Sequence, residues 1–227
     1  MDSAGPRSVG VIMDGNRRWA KAKGLPTSEG HLRGFEHIRE LISWCKDASV
    51  EEIILYAFSS ENWHRSEEEV RYLMDIFEHS FSDTLERISE EGVRVRFIGE
   101  IARFSGGLQE KMRRLEEESA QGTAGTLAIA LSYGGRPEIL AAVNRLLKEG
   151  KTEVNEQGFR DAMWSAGLLD PDLILRTGGE QRLSNFLTWQ SAYSELFFLD
   201  TLWPDFSKEE FDAVLEEYAT RDRRHGK

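Results

Sequence analysis

Apolar runs of strand length alternate with longer amphipathic segments along the whole chain. Val9–Met13, Ile53–Phe58, Val93–Gly99, Thr126–Leu131, Asp172–Arg176 and Glu195–Leu199 are short and rich in apolar residues, which predicts six strands. Between them, apolar positions recur at helical spacing. The pattern predicts helices over 17–23, 31–48, 66–91, 107–121, 137–148, 155–165 and 208–219. In the second, Phe35, Ile38, Leu41, Ile42 and Cys45 share a face. Ser66-Glu-Glu-Glu69 has the form of a capping box, in which the serine oxygen accepts from the backbone and Glu69 reaches back. The helix it opens carries Val70, Leu73, Met74, Phe77, Phe81, Leu85 and Ile88 on one stripe. At ~1.5 Å per residue it would span about 39 Å. Strands alternating with helices predict an α/β fold: a single domain over 8–227 with a mainly parallel six-stranded sheet flanked by helices on both faces. Residues 1–7 are expected to be a loose N-terminus.

The length of 227 residues suits one substantial core. A formal net charge of −11 argues against a general nucleic-acid binder, which needs a basic face. Three acidic runs, Glu67–Glu69, Glu116–Glu118 and the carboxylates of Glu209–Glu217, fall on predicted helices and are expected to be solvated faces. The single cysteine, Cys45, sits on an apolar helix stripe, so it is expected in the core. With no partner for a disulfide it fits a reducing compartment, and a cytoplasmic location is expected. No basic leader precedes an apolar run at the start, and no stretch approaches the ~20 apolar residues of a membrane span. One bias stays unexplained by composition. Of 29 cations, 21 are arginine, the side chain that grips carboxylate or phosphate with two parallel bonds.

Ligands of open α/β sheets bind beyond the carboxyl ends of the strands. Those ends carry Asp14-Gly-Asn-Arg-Arg-Trp19, Ser59-Ser-Glu-Asn-Trp-His-Arg65, Tyr133-Gly-Gly-Arg136 and Arg176-Thr-Gly-Gly-Glu-Gln-Arg-Leu-Ser184, while the sixth strand begins at Glu195. Arginine appears at each of the four loops. Glycines there let backbone N–H groups approach an anion. The residues therefore point to a phosphate-binding cleft, with Asp14 and Glu195 available to a hard divalent cation. Taken singly, Asp14-Gly15-Asn16, Gly134-Gly135 and Gly178-Gly179 are ordinary turn signals. No P-loop or dinucleotide fingerprint is present. No nucleophile–base pair supports a hydrolase.

Taken together, the blocks resemble the cis-prenyltransferases, the undecaprenyl diphosphate synthase family. The matching stretches are Met13–Ala20, Gly30-His31 with Gly34, Leu55–Trp63 with Arg65, Tyr133–Arg136, Leu175–Glu180 with Arg182, Ser184 and Asn185, Ala192-Tyr193 with Glu195-Leu196, and Trp203–Phe206. The resemblance implies a magnesium-dependent enzyme that condenses an allylic diphosphate, such as farnesyl diphosphate, with isopentenyl diphosphate to give a long cis-polyprenyl diphosphate. It implies Asp14 and Glu195 as metal-linked carboxylates and Asn62 beside Asp14 as a catalytic position. Gly15, Asn16, Arg17, Arg18, Trp19, His31, Ser59, Ser60, Glu61, Trp63 and Arg65 match positions around the substrates, and Arg176, Arg182, Leu183 and Ser184 match the isopentenyl diphosphate site. An amide has no useful basicity, so Asn62 is expected to orient the proton acceptor rather than be it. The resemblance also implies a homodimer, with Arg224-His225-Gly226 reaching the partner's site, and a lipid product that brings the protein to a membrane. The growing chain needs an apolar tunnel, and the Val70–Ile88 stripe is the expected wall. Thr27, Gln181 and Ser132 depart from the family pattern, and Lys21, Lys23 or Arg17 are expected to compensate for Thr27. The alternatives are a short-chain synthase and a non-catalytic partner subunit.

Overall fold

The computed structural model describes residues 5–222, apart from the side chains of 79–84, 86 and 87. Its elements in chain order are β1 (Ser8–Ile12), α1 (Asn16–Ala22), α2 (Thr27–Glu36), α3 (Ile38–Asp47), β2 (Glu52–Ser59), α4 (Glu67–Glu90), β3 (Arg94–Ile98), α5 (Gly106–Ser119), β4 (Thr126–Tyr133), α6 (Gly135–Lys148), α7 (Glu156–Ala162), β5 (Leu173–Arg176), β6 (Glu195–Phe198) and α8 (Lys208–Thr220). The strands form one six-stranded sheet in the order β3-β4-β2-β1-β5-β6, and every pairing is parallel. The central strands are buried along their length because both faces are covered, which is why they read as continuous apolar runs rather than alternating ones.

Side-chain alternation sorts each strand between two cores. Val9, Val11, Ile53, Leu55, Leu127 and Ile129 join α3, α4, α5 and α8 in the larger cluster. Ile12, Ile54, Ala128, Ala130 and Ile174 face the other way, against Tyr133, Leu168, Phe186 and Leu187. Helix α4 runs 24 residues, about 36 Å, and buries Leu73, Ile76, Phe77, Leu85 and Ile88. Phe81, expected on the same stripe, has its side chain outside the described set.

Three expectations change. The predicted 31–48 helix starts earlier, behind Pro26, and turns at His37 between α2 and α3. The buried residues of α2 are Gly30 and Gly34, so apolar periodicity could not register it. A Cβ on Gly34 would stand 2.2 Å from Asn16 Oδ1, so only glycine lets α2 lie this close to α1. His37 fills the corner, its ring edge-on to Trp44 and Trp203. Next, the terminus is not loose up to residue 7. Pro6 is buried, Arg7 pairs with Glu51 at 2.8 Å, and its backbone N–H donates to Asp172 at 2.7 Å. Last, the acidic runs are not wholly solvated. Glu116 accepts from the Phe97 N–H at 2.7 Å, and Glu210 closes a capping box on Ser207 at the start of α8. The buried Cys45 behaves as read, and burial pushes its thiol pKa up.

Candidate active site

The chain leaves β1 toward β2 on one side of the sheet and returns through β5 on the other. The switch point therefore lies beyond the carboxyl ends of β1, β2 and β5. Asp14 stands at its centre. Its Oδ2 accepts from Arg176 Nη2 at 2.8 Å and its Oδ1 from Arg18 Nη2 at 3.2 Å. Arg176 is buried, and its other terminal nitrogen donates to the Arg182 carbonyl at 2.5 Å and to Ser184 Oγ at 2.9 Å. Thr177 clamps the two loops together. Its hydroxyl donates to the Asp14 carbonyl at 2.8 Å and accepts the Asp14 N–H at 3.1 Å. Gly15 has φ 117°, and a Cβ there would sit 2.9 Å from Leu202 Cα, so the turn into α1 requires glycine.

Asp14–Arg18, Lys21, Gly24–Thr27, His31, Arg65, Glu180 and Arg182 line an open polar cleft of about 810 Å³. Of its two acids, Glu180 is already engaged by Arg182. Five arginine and lysine side chains face it, which concentrates positive charge inside an acidic protein. Glu69 organises one wall. Its carboxylate accepts from Arg65 at 2.9 Å and stands 3.6 Å from Arg17 and 3.5 Å from His31 Nε2. Thus the Ser66–Glu69 box closes on one side only. Ser66 Oγ takes the Glu69 N–H, while the Glu69 side chain turns to the cations, where a carboxylate gains more than from one neutral N–H. Burial lowers the His31 pKa, Arg65 and Arg17 lower it further, and Glu69 opposes them.

A short 3-10 turn, Ser60–His64, follows β2 and carries Glu61, Asn62 and Trp63. Asn62 Oδ1 accepts the Ser59 N–H at 3.0 Å, which leaves its amide N–H groups as the usable function. Ser60 Oγ donates to Glu61 Oε2 at 3.0 Å and Asn185 Nδ2 to Glu61 Oε1 at 3.0 Å. Burial alone would raise the Glu61 pKa, but these hydrogen bonds hold it below the usual carboxylate value. Trp63 points inward. Its indole N–H donates to Ser132 Oγ at 2.9 Å, its ring packs on Phe58 and Phe104, and the Arg103 guanidinium lies 4.6 Å over it. Trp63 is thus an anchor of the turn. Ser132, which departs from the family pattern, holds that ring here.

Several expected residues do not reach the cleft. Trp19 donates to Asp205 at 2.7 Å, and Lys23 stacks on its ring, so neither lines it; Lys21 and Arg17 do, beside Thr27. Leu183 is partly buried and packs against the smaller core. Glu195 opens β6, in register with Leu173 at the amino end of β5. It lies three residues, about 10 Å, below the strand end that carries the site. There Arg221 holds it at 2.8 Å. Within one chain it does not join Asp14 in a metal site, because a parallel strand presents its first and last residues to opposite edges of the sheet. Arg224-His225-Gly226 lies outside the described residues.

Below the polar cleft, Met13, Asn16 and His31 also border a small cavity of about 70 Å³ closed by Gly34, Phe35, Ile38, Ala57, Leu73, Phe77 and Leu85. Its wall is mostly apolar, so a polar cleft and an apolar cavity lie one over the other. A continuous tunnel is not shown among the described residues, and Phe81 and its neighbours on the expected wall lie outside the described side chains. At the other end of the same layer a second cleft of about 530 Å³ is lined by Ile42, Cys45, Ile53, Ile88 and Gly125 among others. Closely packed side chains, Leu41 and Leu55 among the fully buried, fill the core of this layer.

The family model of undecaprenyl diphosphate synthase, a prenyltransferase family, matches residues 12–226. This chain belongs to that family. The isoprenyl transferase of Chromobacterium violaceum is 45% identical over 222 residues, 98% of this chain and 88% of the relative. Lavandulyl diphosphate synthase from Lavandula x intermedia, solved in complex with dimethylallyl diphosphate, superposes with a TM-score of 0.94 at 30% identity, covering 100% of both chains. A probable undecaprenyl diphosphate synthase from Campylobacter jejuni superposes at 0.83 with 32% identity over 98% of this chain and 99% of that one. The structure adds contacts for Glu69, Thr177 and Asn185, to which sequence reasoning assigned no role although Thr177 and Asn185 lie in the matching stretches. Glu69 was hidden by its capping-box spacing. Asn185 adjoins Ser184, and Thr177 follows Arg176, so adjacency to known positions was the available signal.

Proposed function

We propose that the protein condenses isopentenyl diphosphate with an allylic diphosphate such as farnesyl diphosphate, forming cis double bonds and a long polyprenyl diphosphate. The observation that carries this reading is the stacking of an arginine-rich cleft directly over an apolar cavity, with Asp14 between two arginines. The allylic C–O bond breaks, diphosphate leaves, and a C–C bond forms to the terminal alkene carbon of isopentenyl diphosphate; the methyl-bearing carbon becomes cationic, and a proton departs from the methylene on its far side to close the new double bond. Charge grows on the leaving diphosphate. Arg17, Arg18 and Arg65 with the backbone of Gly15 and Asn16 stabilise it more in the transition state than before it. Arg176, Arg182 and Ser184 orient the second diphosphate so that its alkene meets the allylic carbon. Asn62, with its carbonyl already taken, donates hydrogen bonds that orient the group accepting the proton.

Magnesium fits the donor set. It prefers hard oxygens and is commonly held by one or two carboxylates plus substrate phosphates. Asp14 supplies such a carboxylate, and among the described residues no cluster of three or more His, Cys, Asp or Glu offers an all-protein cage. Asp14 would hold the ion, which when bound would supply positive charge against the departing diphosphate. We place the enzyme in the cytoplasm as a homodimer whose lipid product takes it to a membrane surface. No described helix is long and apolar enough to cross one.

The test is incorporation of labelled isopentenyl diphosphate by purified protein with magnesium and farnesyl diphosphate, with the products sized by mass spectrometry. A long-chain product is expected. Arrest after one addition selects the short-chain reading. Absence of incorporation ends the catalytic reading and favours a non-catalytic partner subunit.

A further inference from the structure

Segments that follow three strands meet in one side chain, that of Asn185. Its Oδ1 accepts the Arg136 N–H at 2.9 Å, in the first turn of α6 beyond β4. Its Nδ2 donates to Glu61 Oε1 at 3.0 Å, on the turn after β2. Its own backbone, on the loop after β5, is left-handed at φ 67°, and its carbonyl accepts the Gly135 N–H at 2.6 Å. The junction is tight. A Cβ on Gly134 would stand 2.6 Å from Asn185 Nδ2 and 2.7 Å from Ser60 Oγ.

These demands narrow the residue type. A left-handed backbone favours glycine, asparagine or aspartate. The Arg136 contact needs an acceptor, which removes glycine. The Glu61 carboxylate needs a donor, which removes aspartate. Only asparagine meets all three. Ser184, next in the chain, receives the Arg176 hydrogen bond at 2.9 Å, while Glu61 is next to Asn62.

We propose that Asn185 is a positioning residue that couples the isopentenyl diphosphate loop to the Glu61–Asn62 turn, so that ordering one substrate's contacts orders the other's. The proposal rests on the two-substrate reading above. It predicts that the damage done by Asn185→Asp comes from repulsion of Glu61 and disappears when the hydrogen bond is rebuilt with reversed polarity. In Glu61→Gln/Asn185→Asp, the glutamine amide donates to the new carboxylate while Oδ1 still accepts from Arg136.

The experiment is a double-mutant cycle read in kcat and in KM for each substrate. Asn185→Asp is expected to lower kcat/KM for isopentenyl diphosphate by roughly 30-fold in the wild-type background and by less than about threefold in the Glu61→Gln background. An equal loss in both backgrounds overturns the proposal. If Asn185→Asp fails to fold, the double variant is expected to fold, and its failure also overturns the proposal. If wild type incorporates no isopentenyl diphosphate, the functional reading has failed by itself. The cycle is then read from the thermal midpoint with and without inorganic pyrophosphate. Pyrophosphate is expected to raise the midpoint of wild type and the double variant but not that of Asn185→Asp, and equal shifts in all three overturn the coupling.

Discussion

Asp14 holds two arginines on one carboxylate, and one of them, Arg176, is buried. Removing the carboxylate would strand that guanidinium, which costs stability as well as activity. Asp14→Asn is therefore the cleaner probe than alanine, because an amide oxygen keeps the shape and one acceptor. It is expected to lower kcat/KM by roughly 10²–10³-fold, the range for loss of one preorganised electrostatic contact, with the thermal midpoint moved by only a few degrees. Steady-state incorporation and a melting curve on the same sample check both. Only a several-fold loss of activity would sink the metal–diphosphate role. At this scale the motif residues were legible because strand-end loops of arginine, glycine and aspartate are unusual when read together. Glu69 was not. Its spacing from Ser66 spells a local cap, and only the approach of α1 and α2 brings Arg17 and His31 within reach of it.

Helix signals are local, and most of them hold. At the start of α8, Ser207 Oγ accepts the Glu210 N–H at 3.3 Å, and Glu210 accepts the Ser207 N–H in return at 3.1 Å. Glu210 also takes the Thr201 hydroxyl. Ser207→Ala is expected to cost about 1 kcal/mol, a fall of roughly 2–4 °C in the midpoint for a protein of this size, measured by calorimetry. No change would mean that Glu210 and Thr201 hold the helix start unaided. The strands were legible for a related reason: apolar runs of about four to eight residues have few other places to go in an α/β fold. Helix α2 escaped because its packing surface is glycine. There the stabilising feature is the absence of side chains, which lets Trp203 Nε1 reach the Gly34 carbonyl at 2.7 Å, and hydrophobic periodicity cannot report an absence.

Across the whole molecule, the edge of the sheet opposite the site carries its own titration. Glu52, at the amino end of β2, is buried, and burial pushes its pKa up to about 7, against hydrogen bonds from the Leu169 N–H and the Ser8 hydroxyl. An acid whose folded pKa exceeds its unfolded one binds more protons when folded. Stability therefore falls as pH rises from the ordinary carboxylate value to about 7, and the loss is complete above it. Glu52→Gln keeps both hydrogen-bond contacts and removes the charge. It is expected to be more stable than wild type at about pH 8 by on the order of 2 kcal/mol, with the difference closing near about pH 4. Denaturant titration at the two pH values tests this, and a gain equal at both would exclude a titrating Glu52. The same opposition of edges explains Glu195, which the linear order places beside the site motifs and the parallel strand carries about 10 Å away from them.

The amino-acid sequence by itself determined the fold class, the strand and most helix positions, and the identity of the chemistry. Periodicity, caps and turn residues act between neighbours, and neighbours are visible in a linear string. The tertiary structure decided which of those residues meet. Asp14 and Arg176 are 162 positions apart, and Glu61 and Asn185 are 124 apart. Their contact depends on β1 lying between β2 and β5 with every strand parallel, so that all carboxyl ends open on one edge. Tertiary packing also set the small apolar cavity beneath the polar cleft. Side chains with the periodicity of a wall are equally able to fill the space they enclose, and a protein interior closes to near-crystalline density wherever they can.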